Sequence, residues 1–461
     1  MKIIVLNGSP KGMTSITMQY VHYIEQLYPQ HDFQFIDISV RLPKLERDVS
    51  AFGEVIETVR SAEAIIWASP VYYWLIPANY KRFIELISER EVEDAFRGRY
   101  TIFLSTSIHF FDHTAHNYLQ GICEDLEMNY LGSYSADMSD LLKPEERKRL
   151  EQFCAGFLND IEQQVDTTRI HMPLTVNAFD YHPEPPPLPL ETGKHKILLL
   201  TDQEDGQLNL QRMVSHVCDT FSGNVEVINL HDLDIKGACL GCLHCAWDNR
   251  CVYEGKDEYV DFFNDKIAGA DILIWAGAIR DRYLSATWKQ FFDRSFFKGH
   301  VPSLMGKQVG FIVSGPLAQL PNLRQILEAY VEIQQANLAG IVTDEESEST
   351  HIDQQLNQLC GQLLRSSADG YIHSPSFLGV GGRLLFRDHV YGKMRFPFRA
   401  DYLAYKRLGV FDFPQKRYKR RLMNSVMLLL SHLPGFRKEI NRRMKEEMIK
   451  PLQRVLERTK I

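Results

Sequence analysis

Four cysteines fall within thirteen residues, Cys239, Cys242, Cys245 and Cys251, in the run ACLGCLHCAWDNRC with spacing C-x2-C-x2-C-x5-C. Gaps of two residues let successive turns aim their thiolates at one centre, as an iron–sulfur cube or a tetrahedral zinc requires. The five-residue gap gives the fourth thiolate room to fold back to the same point. Zinc sites more often divide into two knuckles separated by a long insert, and this run is continuous. It also differs from the bacterial ferredoxin run C-x2-C-x2-C-x3-C-P, whose fourth cysteine serves another cluster. A [4Fe-4S] cluster is the first reading; zinc, and reduced thiols or a redox disulfide, remain open. His244 sits inside the loop as an alternative ligand, an N–H donor or a solvent-facing side chain. Cys123, Cys154, Cys218 and Cys360 fall in helical patterns, where buried free cysteine is the ordinary case.

A second set of candidates lies at loops that follow apolar runs. Asn7-Gly8-Ser9-Pro10-Lys11-Gly12-Met13-Thr14-Ser15-Ile16-Thr17 follows the first run. Glycine permits close backbone approach, hydroxyls donate to anionic oxygens, and a following helix aims free N–H groups at a phosphate. The same composition also makes an ordinary strand-to-helix turn. Ala68-Ser69-Pro70-Val71-Tyr72-Tyr73-Trp74 ends another run and offers aromatic faces and backbone amides to a flat heteroaromatic ring. Ser105-Thr106-Ser107-Ile108-His109 is a third small polar loop. Beyond it, His109, Asp112, His113 and His116 form HFFDHTAH, suited to proton shuttling, to metal binding, or to shaping the rim and capping a helix. No nucleophile–His–acid set points to hydrolysis.

These loops need a scaffold that holds strand ends along one edge. Apolar runs at Lys2–Leu6, Phe33–Ile38, Ala64–Ala68 and Tyr100–Ser105 alternate with helical patterns at 50–59, 79–88, 114–127 and 144–164. Runs of four to six apolar residues between helices predict a parallel sheet covered on both faces. Segment 38–48 carries no cysteine. Pro183-Glu184-Pro185-Pro186-Pro187-Leu188-Pro189 must be extended and reads as an interdomain strap. The pattern then restarts, with strands at Lys196–Leu200, Val225–Leu230, Ile272–Ala276 and Val309–Ser314 and helices between and after them, an offset near 200 residues that predicts an internal duplication. The expected fold is α/β: two tandem doubly wound parallel sheets, with ligands beyond the carboxyl ends of the strands. The expected divisions are 1–165, a linker at 166–195, 196–370 with the cysteine loop, and a basic, partly helical extension at 371–461.

NGSPKGMTSIT, SPVYYWLIPANYKRFIE and the third loop together resemble the flavodoxin-like NAD(P)H-dependent FMN reductase family. The resemblance implies two tandem flavodoxin-like sheets of order 2-1-3-4-5, and FMN in the first half with its phosphate near Ser9, Lys11, Ser15 and Thr17. It places the ring near Pro70, Val71, Tyr72, Tyr73 and the loop Ser105, Thr106, Ser107 to His109. Ala78 departs from the glycine that relatives often carry before the helix. The second half resembles the iron–sulfur flavoprotein branch, whose compact cysteine motif holds a [4Fe-4S] cluster and serves flavin across a subunit interface. Ala276 to Tyr283 and Trp288-Lys289-Gln290-Phe291-Phe292-Asp293-Arg294 echo the ring loop and its helix. Thr201-Asp202-Gln203-Glu204-Asp205 does not fit, because three carboxylates stand where a phosphate would sit. At an effective dielectric of about 20, two unit charges about 4 Å apart repel by about 4 kcal/mol. Each half therefore lacks what the other has.

At 461 residues, 44% hydrophobic and 24% charged, the composition is that of a globular protein with more than one core. No signal-peptide cleavage pattern follows Met1, no apolar run approaches a bilayer span, and the thiols are clustered, so a reducing cytoplasm is expected. Residues 391–461 carry 19 Lys/Arg against 6 Asp/Glu inside a chain of net charge −7. Ile440, Met444, Met448, Leu452 and Val455 recur at helical intervals there, in a stretch, Phe436–Lys460, set apart from Leu422–Leu433 by Pro434-Gly435. This tail packs on the domains or a dimer partner, or makes peripheral contact with anionic lipid. Nucleic acid is not an expected partner, because no such motif accompanies the charge. The expected protein is an oxidoreductase passing electrons between a [4Fe-4S] cluster and FMN, with NAD(P)H or a small ferredoxin-type protein as donor, and with Tyr72, Tyr73 and His109 shaping the flavin site. The alternatives are an electron-carrier module for a partner enzyme and a non-catalytic zinc- or redox-sensing protein.

Overall fold

The computed structural model describes residues 1–176, 179–186 and 188–459; Pro187 of the proline run and Lys460 of the tail lie outside them. β1 (Lys2–Asn7), β2 (Asp32–Asp37), β3 (Ala64–Pro70), β4 (Tyr100–Ser107) and β5 (Asn129–Asp137) form a sheet of order 2-1-3-4-5. β6 (Ile197–Thr201), β7 (Glu226–Asn229), β8 (Ile272–Ala278), β9 (Gln308–Ser314) and β10 (Asn337–Thr343) form a second sheet with the same topology, 7-6-8-9-10. Every strand pair is parallel. The central strands are unbroken apolar runs such as AIIWAS and ILIWAGA, buried along nearly their whole length, because helices cover both faces.

The edge strands β5 and β10 have no counterpart in the apolar runs of the sequence. β5 reads NYLGSYSAD and is only half-buried along most of its length, so the burial that writes an apolar run is missing. Segment 38–48 folds as helix Ile38–Arg47, which continues through Pro43. Helix Phe377–Tyr391 was hidden by its glycines, which are there for close packing. A Cβ at Gly379 would press on Glu332, and one at Gly382 on Ile333 and Phe110, so the helix lies directly on helix Pro321–Ile333.

By compactness the chain divides into residues 1–404, which hold both sheets, and the tail from Tyr405 onward. In the first unit one apolar core runs from half to half, taking in Tyr80, Phe83 and Tyr118 with Trp275, Trp288 and Tyr330. Helix Ala78–Glu89 of the first half packs on helix Ala286–Arg294 of the second, its equivalent at an offset of 208 residues. The start of each helix is completed by the other half. The Ala78 N–H donates to Asp293 Oδ2 at 2.9 Å, and the Ala286 N–H donates to Glu85 Oε1 at 2.7 Å. Carboxylates there satisfy orphan N–H groups and face the positive end of the dipole. Lys81, fully buried, pairs with Glu85 at 2.7 Å and with Asp281 of the other half at 2.9 Å. Lys289, equally buried, pairs with Asp293 and donates to the Tyr72 carbonyl of the other half at 2.9 Å. Burial pushes the Asp293 carboxyl up to about 6 against the pull of Lys289.

The segment before the second sheet is fastened to that half. Tyr181 is fully buried, its hydroxyl donates to Asp353 at 2.5 Å, and its N–H donates to Asn209 Oδ1 at 2.9 Å. Thr175 and Gln319 exchange hydrogen bonds of 2.9 and 2.8 Å.

In the tail, helix Tyr418–Leu430 is followed, after a short turn, by helix Pro434–Arg458. Proline at the first helical position loses only an N–H that has no partner there, so Pro434 opens the second helix rather than breaking it. That helix continues through Pro451.

Removing one member of a buried ion pair leaves the other uncompensated. Asp293→Ala should cost about 3–5 kcal/mol in urea unfolding. The double variant Lys289→Met/Asp293→Leu should recover most of that loss, since no lone buried charge remains.

Candidate functional site

Between the two halves lies a cavity of about 520 Å³, within the range of cofactor and ligand sites. One end is polar. Ser9, Lys11, Ser15 and Thr17 line it at the start of helix Ile16–Leu27. The Ser15 hydroxyl accepts from the Met18 N–H at 3.3 Å and so caps that helix. Ser9 Oγ accepts from the Lys11 N–H at 3.3 Å, and the Thr17 and Thr106 hydroxyls are bonded to each other at 2.6 Å. A helix start with hydroxyls and one lysine matches the needs of a phosphate.

The other end is aromatic. Residues 72–75 make a tight turn in which Tyr72 N–H donates to the Leu75 carbonyl at 2.7 Å and Leu75 N–H returns the bond at 3.0 Å. Tyr73 and Trp74 hold φ of 40° and 64°, a left-handed backbone that non-glycine residues adopt only under strong surrounding contacts. Those contacts are Lys289 on the Tyr72 carbonyl, Phe296 against Tyr73 at 5.9 Å and Tyr330 against Trp74 at 5.3 Å. All three come from the second half; from the first, the Thr114 hydroxyl donates to the Trp74 carbonyl at 2.5 Å and Phe110 and Phe111 lie against Trp74 at 5.8 and 6.1 Å, so both halves hold the turn.

Ser9, Lys11, Ser15, Thr17, Pro70, Val71, Tyr72, Tyr73, Thr106 and Ser107 all border the cavity. Ser105 and His109 do not. Ser105 is fully buried and bonded to His116 at 2.7 Å. Burial pushes His116 down to about 4, so it is neutral at physiological pH. His109 is half exposed, bonded to Asp112 at 3.0 Å, and lines a separate polar recess with Asp137, Lys143 and Lys393. Phe110, from the HFFDHTAH stretch, also lines the wall, and several wall residues carried no motif in the sequence: Phe296, His300, Phe386 and Phe398. Phe386 and Phe398 come from the segment after the second sheet. Asp401 accepts from the His300 backbone N–H at 3.1 Å and meets its ring nitrogen Nδ1 at 2.5 Å, which ties this segment to the cavity wall. The one available signal was the density of aromatics in RFPFRADYLAY.

The cysteine loop reaches the same cavity. Cys239, Gly241 and Leu243 border it beside Tyr72. Gly241 has φ of 59°, and a Cβ there would overlap the Tyr72 hydroxyl, so only glycine lets the loop come this close. Gly241, Leu243 and Asn249 are all left-handed, which turns the loop back on itself. Burial pushes the Cys239 and Cys245 thiols up to about 12, with Asp293 and then the neighbouring cysteines adding to the rise at Cys239, and Cys251 and Cys242 adding to it at Cys245. All four are free cysteines. Among the described residues no three His, Cys, Asp or Glu side chains are gathered as a metal site.

The second half fills its own rim. Asp202, at the end of β6, is 1% exposed and accepts from the Ser285 hydroxyl at 2.5 Å. Glu204 is ion-paired with Arg280, the residue equivalent to Tyr72, and meets His231 at 3.5 Å. Burial pushes the Asp202 carboxyl up from 3.8 to about 6. A carboxyl raised in the folded state contributes stability that is complete below pH 4 and lost as pH rises through about 6. Asp202→Asn, with no proton to lose, should therefore gain on the wild type by about 3 kcal/mol between pH 4 and 8. Urea midpoints across that range check this; parallel curves would contradict it.

A search of curated proteins finds no match. Among solved structures, the NAD(P)H:(acceptor) oxidoreductase of Paracoccus denitrificans is 16% identical over 35% of this chain and 97% of its own, with a TM-score of 0.28. The general stress protein 14 of Treponema denticola, solved with FMN, is 13% identical over 36% and 99%, with a TM-score of 0.26. An oxidoreductase from Corynebacterium diphtheriae is 16% identical over 36% and 99%, with a TM-score of 0.30. The family model of NADPH-dependent FMN reductase matches residues 1–139 and again 202–344, one match on each sheet and together more than half of the chain. The chain belongs to the NADPH-dependent FMN reductase family, as a tandem member, and is an FMN-dependent, NAD(P)H-linked oxidoreductase.

Proposed function

We propose that FMN binds on the loops of the first half, in the cavity between the halves, and exchanges electrons with a [4Fe-4S] cluster held by Cys239, Cys242, Cys245 and Cys251 of the second. The observation that carries this reading is that Cys239 and Gly241 border the same cavity as the phosphate-type and ring-type loops of the other half. The donor set suits the cluster in number and softness, and the loop is short and doubled back. Its thiols would have to turn toward one point, since they are not gathered there in the described residues. When bound, FMN takes an electron pair from NAD(P)H and can release electrons singly, which is what a cluster relay needs.

The protein's own residues have defined tasks in this scheme. Lys11, the hydroxyls of Ser9, Ser15 and Thr17, and the start of helix Ile16–Leu27 hold the phosphate and offset its charge. Pro70, Val71, Tyr72, Tyr73, Thr106 and Ser107 place the ring. Lys289 fixes the turn that carries Tyr72 and Tyr73 by holding the Tyr72 carbonyl. Phe296, Phe386 and Phe398 keep water from the reacting end. His109, in the neighbouring recess, acts at the rim rather than on the ring. Residues 1–165 and 196–370 form the two redox halves in this reading, and a ferredoxin-type protein is an alternative donor.

Anaerobic purification followed by flavin, iron, sulfide and zinc analysis should give about one FMN and about four irons per chain. Ser9→Ala/Ser15→Ala should lower FMN affinity at least tenfold and leave iron in place, whereas Cys242→Ser should lose iron and keep FMN. Two FMN per chain would overturn the division of labour, and stoichiometric zinc without iron would overturn the cluster.

A further inference from the structure

The tail carries an exposed apolar surface of its own. No residue of helix Tyr418–Leu430 or helix Pro434–Arg458 is buried. Leu422, Leu428, Leu429, Met448, Leu452 and Leu456 are all exposed, with Leu429 at 72% and Met448 at 68%. Exposed apolar side chains in such number mark a surface made for contact. From Tyr405 to the end the sequence has 16 Lys/Arg and 5 Asp/Glu, a net +11, which leaves −18 for the other residues. The basic residues stand beside the apolar ones: Lys416, Arg417, Lys419, Arg420 and Arg421 lead directly into LMNSVMLLL.

We propose that this tail binds the surface of an anionic lipid bilayer, lying in the interface plane rather than crossing it. Among the described residues no helix is long and apolar enough to cross a membrane. A charged helix with low net hydrophobicity and an apolar stripe instead buries that stripe at the headgroup boundary, and each basic residue near an anionic surface strengthens binding by about fivefold. The stripe on the longer helix, Ile440, Met444, Met448, Leu452 and Val455, steps by four, four, four and three residues. A coiled-coil seam alternates three and four, so pairing with a second copy of this helix has no regular register. Two tails of +11 would also repel each other. Anionic lipid meets both properties, the stripe and the charge.

The test uses the full-length protein and sedimentation with vesicles of phosphatidylcholine, alone or with about one third phosphatidylserine. Binding should be at least tenfold stronger to the phosphatidylserine vesicles and should fall as sodium chloride is added. Leu428→Glu/Leu429→Glu should weaken it at least tenfold and, separately, Arg420→Glu/Arg421→Glu at least about 25-fold, with NAD(P)H oxidation in solution unchanged. Equal binding to both vesicles, or binding to neither, overturns the proposal. A dimer in light scattering that Leu428→Glu/Leu429→Glu abolishes, without vesicle binding, would assign the apolar face to a second copy instead.

Discussion

Two lysines buried in an apolar helix interface set the terms for the rest of the fold. A lone ammonium taken out of water is so costly that it must be paired where it stands. Lys81 takes a carboxylate from its own helix and one from the opposite half, and Lys289 takes Asp293 and a backbone carbonyl from the opposite half. Glu85 and Asp293 then serve twice, since each also completes the start of the other half's helix. Such a network adds little net stability over a well-packed apolar interface. What it does fix is register. Any slide of one half against the other would strand two cations, two carboxylates and two helix starts together.

The register has a consequence for chemistry because one arm of the network ends on the Tyr72 carbonyl. The turn at Tyr73 and Trp74 is held in a left-handed backbone from both sides, by Thr114, Phe110 and Phe111 of its own half and by Lys289, Phe296 and Tyr330 of the second. The same alignment brings Gly241 against the Tyr72 hydroxyl and places Cys239 in the cavity wall. The two halves share one topology but not one rim. In the first, hydroxyls and a lysine leave an open polar end. In the second, Asp202 is buried under Ser285, Glu204 is spent on Arg280, and the preceding strap is bonded to Asn209 and Gln319 at the same edge. One topology thus carries two different rims, the second occupied by its own side chains.

Much of this was legible from residue order. The central strands are apolar on both faces and announce themselves, and the loops after β1, β3 and β4 carry residues whose chemistry belongs at strand ends. Edge strands are not legible in the same way, because β5 is covered along one edge only and can afford serines and a glycine. Ser105 shows the limit at a single residue: it stands in a small polar loop beside Thr106 and Ser107, yet the alternation of the strand turns it inward to His116. Lys289 was an anomaly that the sequence did display, a cation in the otherwise aromatic stretch TWKQFFD. Its partner across the interface is a backbone carbonyl, which no side-chain pattern encodes.

The cavity walls come from segments spread over most of the first 400 residues, and that spread limits what the halves can be on their own. The first half supplies the polar end and the ring loop, the second supplies Cys239, Phe296 and His300, and the segment after both supplies Phe386, Met394 and Phe398. Asp401 bonds to His300 and packs where a Cβ on Gly299 would sit, so this last segment is fixed to the second half as firmly as the halves are to each other. A first half folded alone would keep Ser9, Ser15, Thr17 and the Thr114 bond to the turn, but lose Lys289 and Phe296 from the turn at Tyr73 and the apolar wall of the cavity. A ligand that binds only the assembled cavity stabilises the whole assembly by mass action. For such a ligand, binding and docking of the halves are one equilibrium, and the buried lysines that look purely structural also hold the shape of the cavity.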